Sequence, residues 1–491
     1  MAARPITLAE ALLPVITLAT LLIACTVFLE LNGELLVLVI LASAAVAGII
    51  AARHGSTWDD IQRMTGERIA AVLPVLLILL AIGMLIATWV VSGTIPLIVY
   101  WGIRFVRPDM LPLTAFLATA IMSLCTGTSW GSAGTIGVAL MGMAGALDAP
   151  LPVIAGAVVS GAYFGDKMSP LSDSTNICAI AADVPLYRSI RHLLYTATPS
   201  VIVCLVVYTL ASKLSPAAGS GLPESARVLL RDIESVFRLS PIALIPLLVV
   251  LWGIMRRYSP SLAIMLSSGV ALVIAVALQG ITTVDALTSA VAGVRADMLH
   301  SGATVPGPAF VTLVQRGGLN SMATTLVVVI AAFLLAAAME VSGALTLLIG
   351  RMLAGVRSVF TLIASTMAAG ATMIALTSHG GVTALVIGGL FQPAYKERGL
   401  APENLSRSLE DSVTITEPLM PWTVSAIFMA TTLGVPTAQY APWAVFCYGG
   451  PVFSLLIAAL YPRIGFGIKP ALDGRENELE GAARSDPAFS R

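Results

Sequence analysis

The chain has 491 residues, of which 57% are hydrophobic and 11% charged, with a mean hydropathy of +0.92. Soluble domains carry about 25% charged residues, so this composition excludes an ordinary soluble protein. The 27 basic residues balance the 27 acidic ones, which excludes a basic nucleic-acid-binding face and an acidic disordered tail.

Long apolar segments dominate the first part of the chain. The segment 11–31 is longer than the hydrophobic part of a signal peptide and is predicted to be the first membrane span. Charges are absent from 69–103 and from 110–147. Because an α-helix crosses the hydrocarbon in about 20 residues, each stretch holds a span and something more. Arg4 and the basic loop that begins at Arg53 place the N-terminus in the cytoplasm by the positive-inside rule.

A polar interruption at 214–240 divides the apolar part into two halves, 1–213 and 241–461. Its prolines and glycines, followed by charged residues at helical spacing, predict a linker and a surface helix. The polar remainder, 462–491, is predicted to be a cytoplasmic tail. Together the segments predict an all-α polytopic membrane protein with about 10–13 transmembrane or re-entrant helices.

Polar residues interrupt each half twice at membrane depth. A Gly/Ser/Thr-rich stretch at 125–135 is followed by a polar stretch at 160–176, and the second half repeats the pattern at 376–383 and 410–422. In each half the later stretch carries carboxylates beside a Pro-Leu pair. The correspondence is a faint internal repeat, and it predicts broken helices that meet at the midplane around a coupling-ion site.

Carboxylates are the strongest site candidates in these stretches. Irregular backbone survives in a membrane only where it lines a polar cavity, and its free carbonyls, with hydroxyls and carboxylates, suit a small cation. A carboxylate near the membrane centre is costly unless paired or hydrated, so Asp166, Asp173 and Asp411 are predicted to be functional. Glu417 is predicted to cap or line the same cavity. Lys167 either neutralises Asp166 or Asp173 or is the charge that a bound cation displaces.

Other residues in the breaks have a packing explanation as well as a functional one. Gly161 and Gly165 fit close helix packing as well as a site. His379 is either a pH-sensitive group or a hydrogen-bonded packing residue. Trp130 and Trp422 are predicted to form cavity walls.

The sequence resembles the NhaC family of Na+/H+ antiporters in three motifs, at 127–135, at 161–176, and at 404–412 together with Pro421-Trp422. The resemblance implies a secondary antiporter of the cell membrane, built from two inverted structural repeats, that exchanges cytoplasmic Na+ for external H+. It also implies that the three aspartates named above are site carboxylates. No resident cofactor is expected beyond the transported ions.

The expected site has two parts. The ion- and proton-binding residues are Asp166, Asp173, Asp411, Glu417, Ser169, Thr175 and Asn176, and the cavity-lining or gating residues are Lys167, Thr128, Ser129, Trp130, Thr377, Ser378, His379 and Trp422. Sodium is expected at Asp173, Asp411 and Ser169, where it favours ionised carboxylates and expels a proton. The expected partners are Na+, H+ and the lipid bilayer, with a homodimer left open and no nucleic acid.

Two other functions are weighed against antiport. Na+- or H+-coupled transport of a small organic acid, such as malate/lactate exchange, or of an amino acid would use the same carboxylates for the ion and His379, Arg407 or tryptophans for the solute. An intramembrane hydrolase fits poorly, because none of the four histidines is followed by Glu as in His-Glu-x-x-His. The protein is therefore predicted to be a secondary transporter and not an enzyme.

Overall fold

The computed structural model describes residues 6–29, 33–105, 107–214, 224–256, 258–299, 307–378 and 380–471, and these are almost entirely helical. The single β-type pairing in these ranges is a bridge between Leu400 and Pro470. Up to the polar interruption, the helices are α1 Leu8–Phe28, α2 Gly33–Arg53, α3 Trp58–Ala71, α4 Leu73–Val91, α5 Thr94–Phe105, α6 Leu111–Thr126, α7 Ser129–Ser132, α8 Val138–Ala146, α9 Leu151–Met168, α10 Asp173–Ala181 and α11 Leu186–Leu214.

The second part of the chain contributes thirteen described helices. They are α12 Glu224–Val236, α13 Ile245–Met255, α14 Pro260–Ala277, α15 Thr283–Ala292, α16 Pro308–Val314, α17 Ala323–Val341, α18 Ala344–Ala354, α19 Val359–Thr377, α20 Gly380–Glu397, α21 Pro402–Leu409, α22 Val424–Leu433, α23 Thr437–Tyr440 and α24 Val445–Ile464. A π turn at Glu410–Thr414 and a 3-10 turn at Glu417–Leu419 lie within a predicted break, and a second π turn, Ala133–Gly137, begins in another and ends two residues beyond it.

The fold contains a set of membrane-length helices. Within the described ranges, seven helical stretches are long and apolar enough to cross a bilayer, and two further pairs of helices reach that length if each bent pair is one span. One of these pairs, α3 with α4, bends by 54°. Four shorter apolar helices, α5, α6, α18 and α22, complete the set. The prediction of an all-α polytopic membrane protein is confirmed.

The polar interruption contains the helix α12, as its spacing predicted. Ala226, Leu229 and Ile233 form the buried face of this helix, which packs against α5, α8 and α16. Residues 215–223 of the interruption and 472–491 of the predicted tail lie outside the described residues. The division of the chain into the halves 1–213 and 241–461 therefore remains a prediction.

The first break in each half has the same local form. Helix α6 ends at Thr126 and is followed by Gly127 in the left-handed region (φ 69°), and α19 ends at Thr377 and is followed by Ser378 (φ 51°). In each half the next helix begins three residues after the previous one ends. A hydroxyl pair spans each break: Thr126 with Ser132 at 3.3 Å, and Thr377 with Thr383 at 2.8 Å.

The second break in each half ends at a hydroxyl N-cap. The Ser172 side chain accepts a hydrogen bond from the Thr175 N–H and starts α10, and the Thr423 side chain accepts one from the Ala426 N–H and starts α22. These caps satisfy backbone donors that a helix start leaves free. The elements after the breaks then meet across the halves, because α10 packs against α20 and α22 packs against the π turn Ala133–Gly137.

Close helix packing explains two of the glycines in the motif. A Cβ on Gly161 would overlap the Phe116 carbonyl oxygen, and one on Gly165 would overlap the Ala120 carbonyl oxygen. Both carbonyls belong to α6, so the two glycines let α9 lie directly against α6. Their spacing thus reports packing, and the polar site begins one residue later, at Asp166.

Candidate functional site

A cavity of about 860 Å³ lies where the four breaks come together. Its polar lining residues are Thr126, Thr128, Ser129, Tyr163, Asp166, Asp173, Ser174, Asn176, Tyr187, Tyr258, Ser259, Ser378, Thr414, Glu417 and Ser425. Trp130 and apolar side chains of α4, α10 and α17 complete the wall. Trp130 is held in place by stacking on Phe428, with ring centroids 4.5 Å apart.

Three carboxylates line this cavity. Asp166 lies in the last turn of α9, half-buried beside the Ser129 and Ser172 hydroxyls. Asp173 is the exposed first residue of α10. Glu417 lies in the 3-10 turn that leads to α22 and is buried beside Ser425.

The charged side chains that line the cavity are all acidic among the described residues. Among its described lining residues there is no lysine, arginine or histidine, so the wall offers its carboxylates no basic partner. A cleft lined by one sign of charge within low-dielectric walls concentrates ions of the opposite sign. The chemistry of the donors, carboxylates with hydroxyls, is that of a hard-cation site.

The predicted site residues divide between the cavity wall and the rest of the protein. The wall contains Asp166, Asp173, Glu417, Asn176, Thr128, Ser129, Trp130 and Ser378. It does not contain the other predicted residues that the structure describes, which are Asp411, Lys167, Ser169, Thr175, Thr377 and Trp422. His379 lies outside the described residues.

Lys167 forms an ion pair with Asp411, and not with Asp166 or Asp173 as the sequence had suggested. Adjacent residues of a helix point in different directions, so α9 turns Asp166 to the cavity and Lys167 to the helices behind it. Thr196 of α11 completes the cluster, donating to Asp411 Oδ1 at 3.3 Å and accepting from Lys167 Nζ at 3.3 Å.

Two predicted ligands and one predicted wall residue have structural hydrogen bonds instead. Ser169 donates to the Leu124 carbonyl at 2.9 Å, and Trp422 donates to the Ala375 carbonyl at 2.6 Å. Thr175 donates to the Lys167 carbonyl at 3.1 Å. Each of these bonds fixes a broken segment against its neighbour. The three residues expected at sodium have separate surroundings in this conformation: Asp173 lines the cavity, Asp411 pairs with Lys167, and Ser169 donates to a backbone carbonyl.

Glu410 is a buried carboxylate of the polar stretch 410–422 that was not among the predicted site residues. It is 0% exposed, and Thr414 donates to its Oε2. Its Oε1 has no hydrogen-bond partner among the residues that the structure describes. The available signal was the polar run 404–412, whose only apolar residues are Leu405 and Leu409, although it lies between apolar helices. Polar side chains buried in such a segment need partners.

Tyr163 is the second residue that the sequence analysis left out. It lines the cavity three residues before Asp166, so both side chains lie on the same face of α9. An aromatic residue with a polar tip, one turn from a membrane carboxylate, was the signal that could have identified it.

The sequence was compared with known proteins. The model of the Na+/H+ antiporter family matches residues 161–460. An uncharacterized Na+/H+ antiporter of Haemophilus influenzae is 42% identical, over 94% of this chain and 96% of its own. The Na+/H+ antiporter NhaC of Bacillus subtilis is 35% identical, over 89% of this chain and 94% of its own. The malate-2H+/Na+-lactate antiporter of the same organism is 29% identical, over 89% and 91%.

Proposed function

The chain belongs to the Na+/H+ antiporter family, and on that premise we propose that it exchanges cytoplasmic Na+ for external H+ at the cavity carboxylates Asp166, Asp173 and Glu417. The observation that carries this proposal is the wall itself, with three carboxylates and no basic side chain among its described residues. Such a wall attracts a cation and repels an anion. The protein is a multi-pass membrane transporter, and we place its N-terminus in the cytoplasm.

Competition for one site couples the two ions. Carboxylates removed from bulk water hold a proton when no other cation is present, because burial disfavours the charged form. Bound Na+ favours the ionised form, so the proton leaves as Na+ enters. The carboxylates titrate as a group, so the proton belongs to the cluster and not to a single residue.

Lys167 and Asp411 have a part in the same exchange. We propose that Asp411 joins Asp173 and Ser169 around Na+ when Lys167 moves away from it, which makes Lys167 the charge that sodium displaces. Support comes from the Lys167–Asp411 ion pair, which occupies Asp411 with a protein cation while the cavity carboxylates have none in the wall. A buried carboxylate needs one counter-charge at any moment, and a lysine or a sodium ion can supply it.

Alternating access follows from an inverted arrangement of the halves 1–213 and 241–461, which we also propose. The support is local: the first breaks have equal length and matching hydroxyl pairs, and the second breaks end at matching caps. The reciprocal packing of α10 on α20 and of α22 on the π turn Ala133–Gly137 agrees with it. One bundle would then rock against the other around the site.

Coupled transport of an organic solute is the second candidate, and the cavity volume of about 860 Å³, far larger than a sodium ion needs, favours it. The wall argues against a dicarboxylate, which requires a cationic partner. Arg407, the predicted solute ligand, is fully buried away from the wall, where it donates to the Gly467 carbonyl.

A transport assay separates these candidates. The protein is reconstituted in liposomes with an imposed pH gradient and an interior pH dye, and Na+, Li+, K+, malate or lactate is added. Dissipation of the gradient by Na+ alone supports antiport at this site. Dissipation that requires malate or lactate would move the function to organic-solute exchange, and no response to any addition would refute both.

A further inference from the structure

A second cavity, of about 510 Å³, lies among helices α3, α17, α18, α19 and α20. It shares no described lining residue with the carboxylate cavity. Its volume is within the range of about 300–1,000 Å³ that is typical of small-molecule sites. The proposed exchange of Na+ for H+ does not involve this cavity.

Charged side chains mark one end of this cavity. Arg68 of α3 forms an ion pair with Glu340 of α17, and Glu67 lies beside Arg68 in the chain. Two carboxylates and one guanidinium leave this end with a net negative charge. A complementary ligand must therefore bring a cationic group to the carboxylates, and it can also bring an anionic group to the guanidinium.

Apolar side chains line the rest of the cavity and its opening. Leu353, Val386 and Leu390 are among them, and although they are apolar, Val386 and Leu390 are 39% and 45% exposed. In a membrane protein such side chains face hydrocarbon, so the cavity opens to the bilayer. Helix α3 carries the charged end and bends by 54° from the apolar α4, which suits a helix at the membrane surface.

We propose that this cavity binds a phospholipid whose headgroup carries both a phosphate and a primary ammonium, the chemistry of phosphatidylethanolamine. The ammonium lies at Glu67 and Glu340, the phosphate at Arg68, and an acyl chain follows Leu353, Val386 and Leu390. An anionic headgroup without an ammonium meets net negative charge there. A quaternary ammonium cannot donate hydrogen bonds to the carboxylates, so a choline headgroup binds less tightly.

Because α20 forms one wall of this cavity and also supplies Gly380 and Ala384 to the carboxylate cavity, the lipid would contact a helix of the transport site. The binding itself does not depend on which ion is transported, so it is tested without a transport assay.

The test uses the purified, delipidated full-length chain in detergent and native mass spectrometry with dioleoyl phosphatidylethanolamine, phosphatidylcholine and phosphatidylglycerol. We expect phosphatidylethanolamine to bind about tenfold more tightly than phosphatidylglycerol. Val386→Trp, which fills the opening, is expected to weaken its binding about tenfold. Val273→Trp changes an exposed valine of α14 outside the cavity and is the matched control.

A separate variant tests the selection of the headgroup. Glu67→Gln removes one carboxylate without touching the Arg68–Glu340 pair, and it should cut the preference for phosphatidylethanolamine over phosphatidylglycerol about fivefold. Equal binding of the two lipids to the wild type would overturn the proposal. Unchanged phosphatidylethanolamine binding by Val386→Trp would also overturn it. If that variant converted a dimer to a monomer without changing lipid binding, the groove would be the interface with a second copy of the chain.

Discussion

Lys167 of α9 and Asp411 of the π turn Glu410–Thr414 form an ion pair in which the side chains are 1% and 0% exposed. The partners lie 244 residues apart in the chain. Desolvation offsets much of the attraction within such a pair, so the pair adds little net stability, whereas either charge alone is costly. This asymmetry makes the pair testable by single and double substitution.

Lys167→Met should lower the free energy of unfolding by about 3–5 kcal/mol, because it leaves the Asp411 carboxylate buried without a counter-charge. The double variant Lys167→Met/Asp411→Asn should recover most of that loss. Thermal unfolding of the purified protein in detergent measures both effects. Lys213→Met, at an exposed lysine of α11, is the matched control. A double variant as unstable as the two single changes added together would show that charge compensation is not the cause.

Asp166→Asn and Glu417→Gln should each weaken the apparent affinity for Na+ by about 10–100-fold, because each removes a charged oxygen ligand worth about 1.5–3 kcal/mol. Sodium-driven dissipation of a pH gradient in proteoliposomes measures the affinity. Glu397→Gln, at an exposed glutamate that ends α20, should leave it unchanged. Wild-type affinity in both cavity variants would place the sodium site elsewhere.

Glu410→Gln should leave the free energy of unfolding within about 1 kcal/mol of the wild-type value. The amide has nearly the same volume as the buried carboxylate that it replaces, and one oxygen of that carboxylate has no hydrogen-bond partner among the described residues. If Glu410 takes part in proton transfer, this variant should still exchange labelled Na+ for unlabelled Na+ but should not couple Na+ to H+. Sodium counterflow and the pH-gradient assay, run on one preparation, separate the two activities. Loss of both would instead assign Glu410 to the sodium site.

Gly161→Ala should lower the free energy of unfolding by about 1–3 kcal/mol, because the added methyl group overlaps the Phe116 carbonyl and forces α9 away from α6. Gly145→Ala in α8 is the control, because a Cβ there contacts nothing within 4 Å and alanine favours a helix. Thermal unfolding of the two variants makes the comparison. Equal tolerance of both alanines would contradict the close packing of α9 on α6.

The sequence was informative where a local pattern was enough. Gly127 and the Gly/Ser/Thr-rich stretches located the breaks, and the cost of membrane carboxylates pointed to Asp166, Asp173 and Asp411, of which the first two line the cavity together with Glu417. Each of these inferences needed only residue type and a short window of neighbours.

Contacts between distant segments were beyond the same reasoning. The partner of Lys167 is set by how α9 and α11 lie against the π turn Glu410–Thr414, and no short-range pattern contains that information. The hydroxyls of Ser169 and Thr175 were expected at the ion, yet they bond to backbone carbonyls. The two carbonyls lie 45 and 8 residues away in the chain, so these bonds are not the local ones that a hydroxyl makes to the preceding helical turn.

The π turn at Glu410–Thr414 sets the direction in which the side chains beyond it point. A turn of this kind has one more residue than an α-helical turn needs, as the hydrogen bond from the Ile415 N–H to the Glu410 carbonyl at 3.4 Å shows. If the same residues continued as a regular α-helix instead, everything beyond them would be rotated by about 100°. Glu417 would then turn away from the wall although every side chain kept its identity. The site is therefore specified by the turn of the backbone between Glu410 and Glu417 as much as by the identity of the carboxylates.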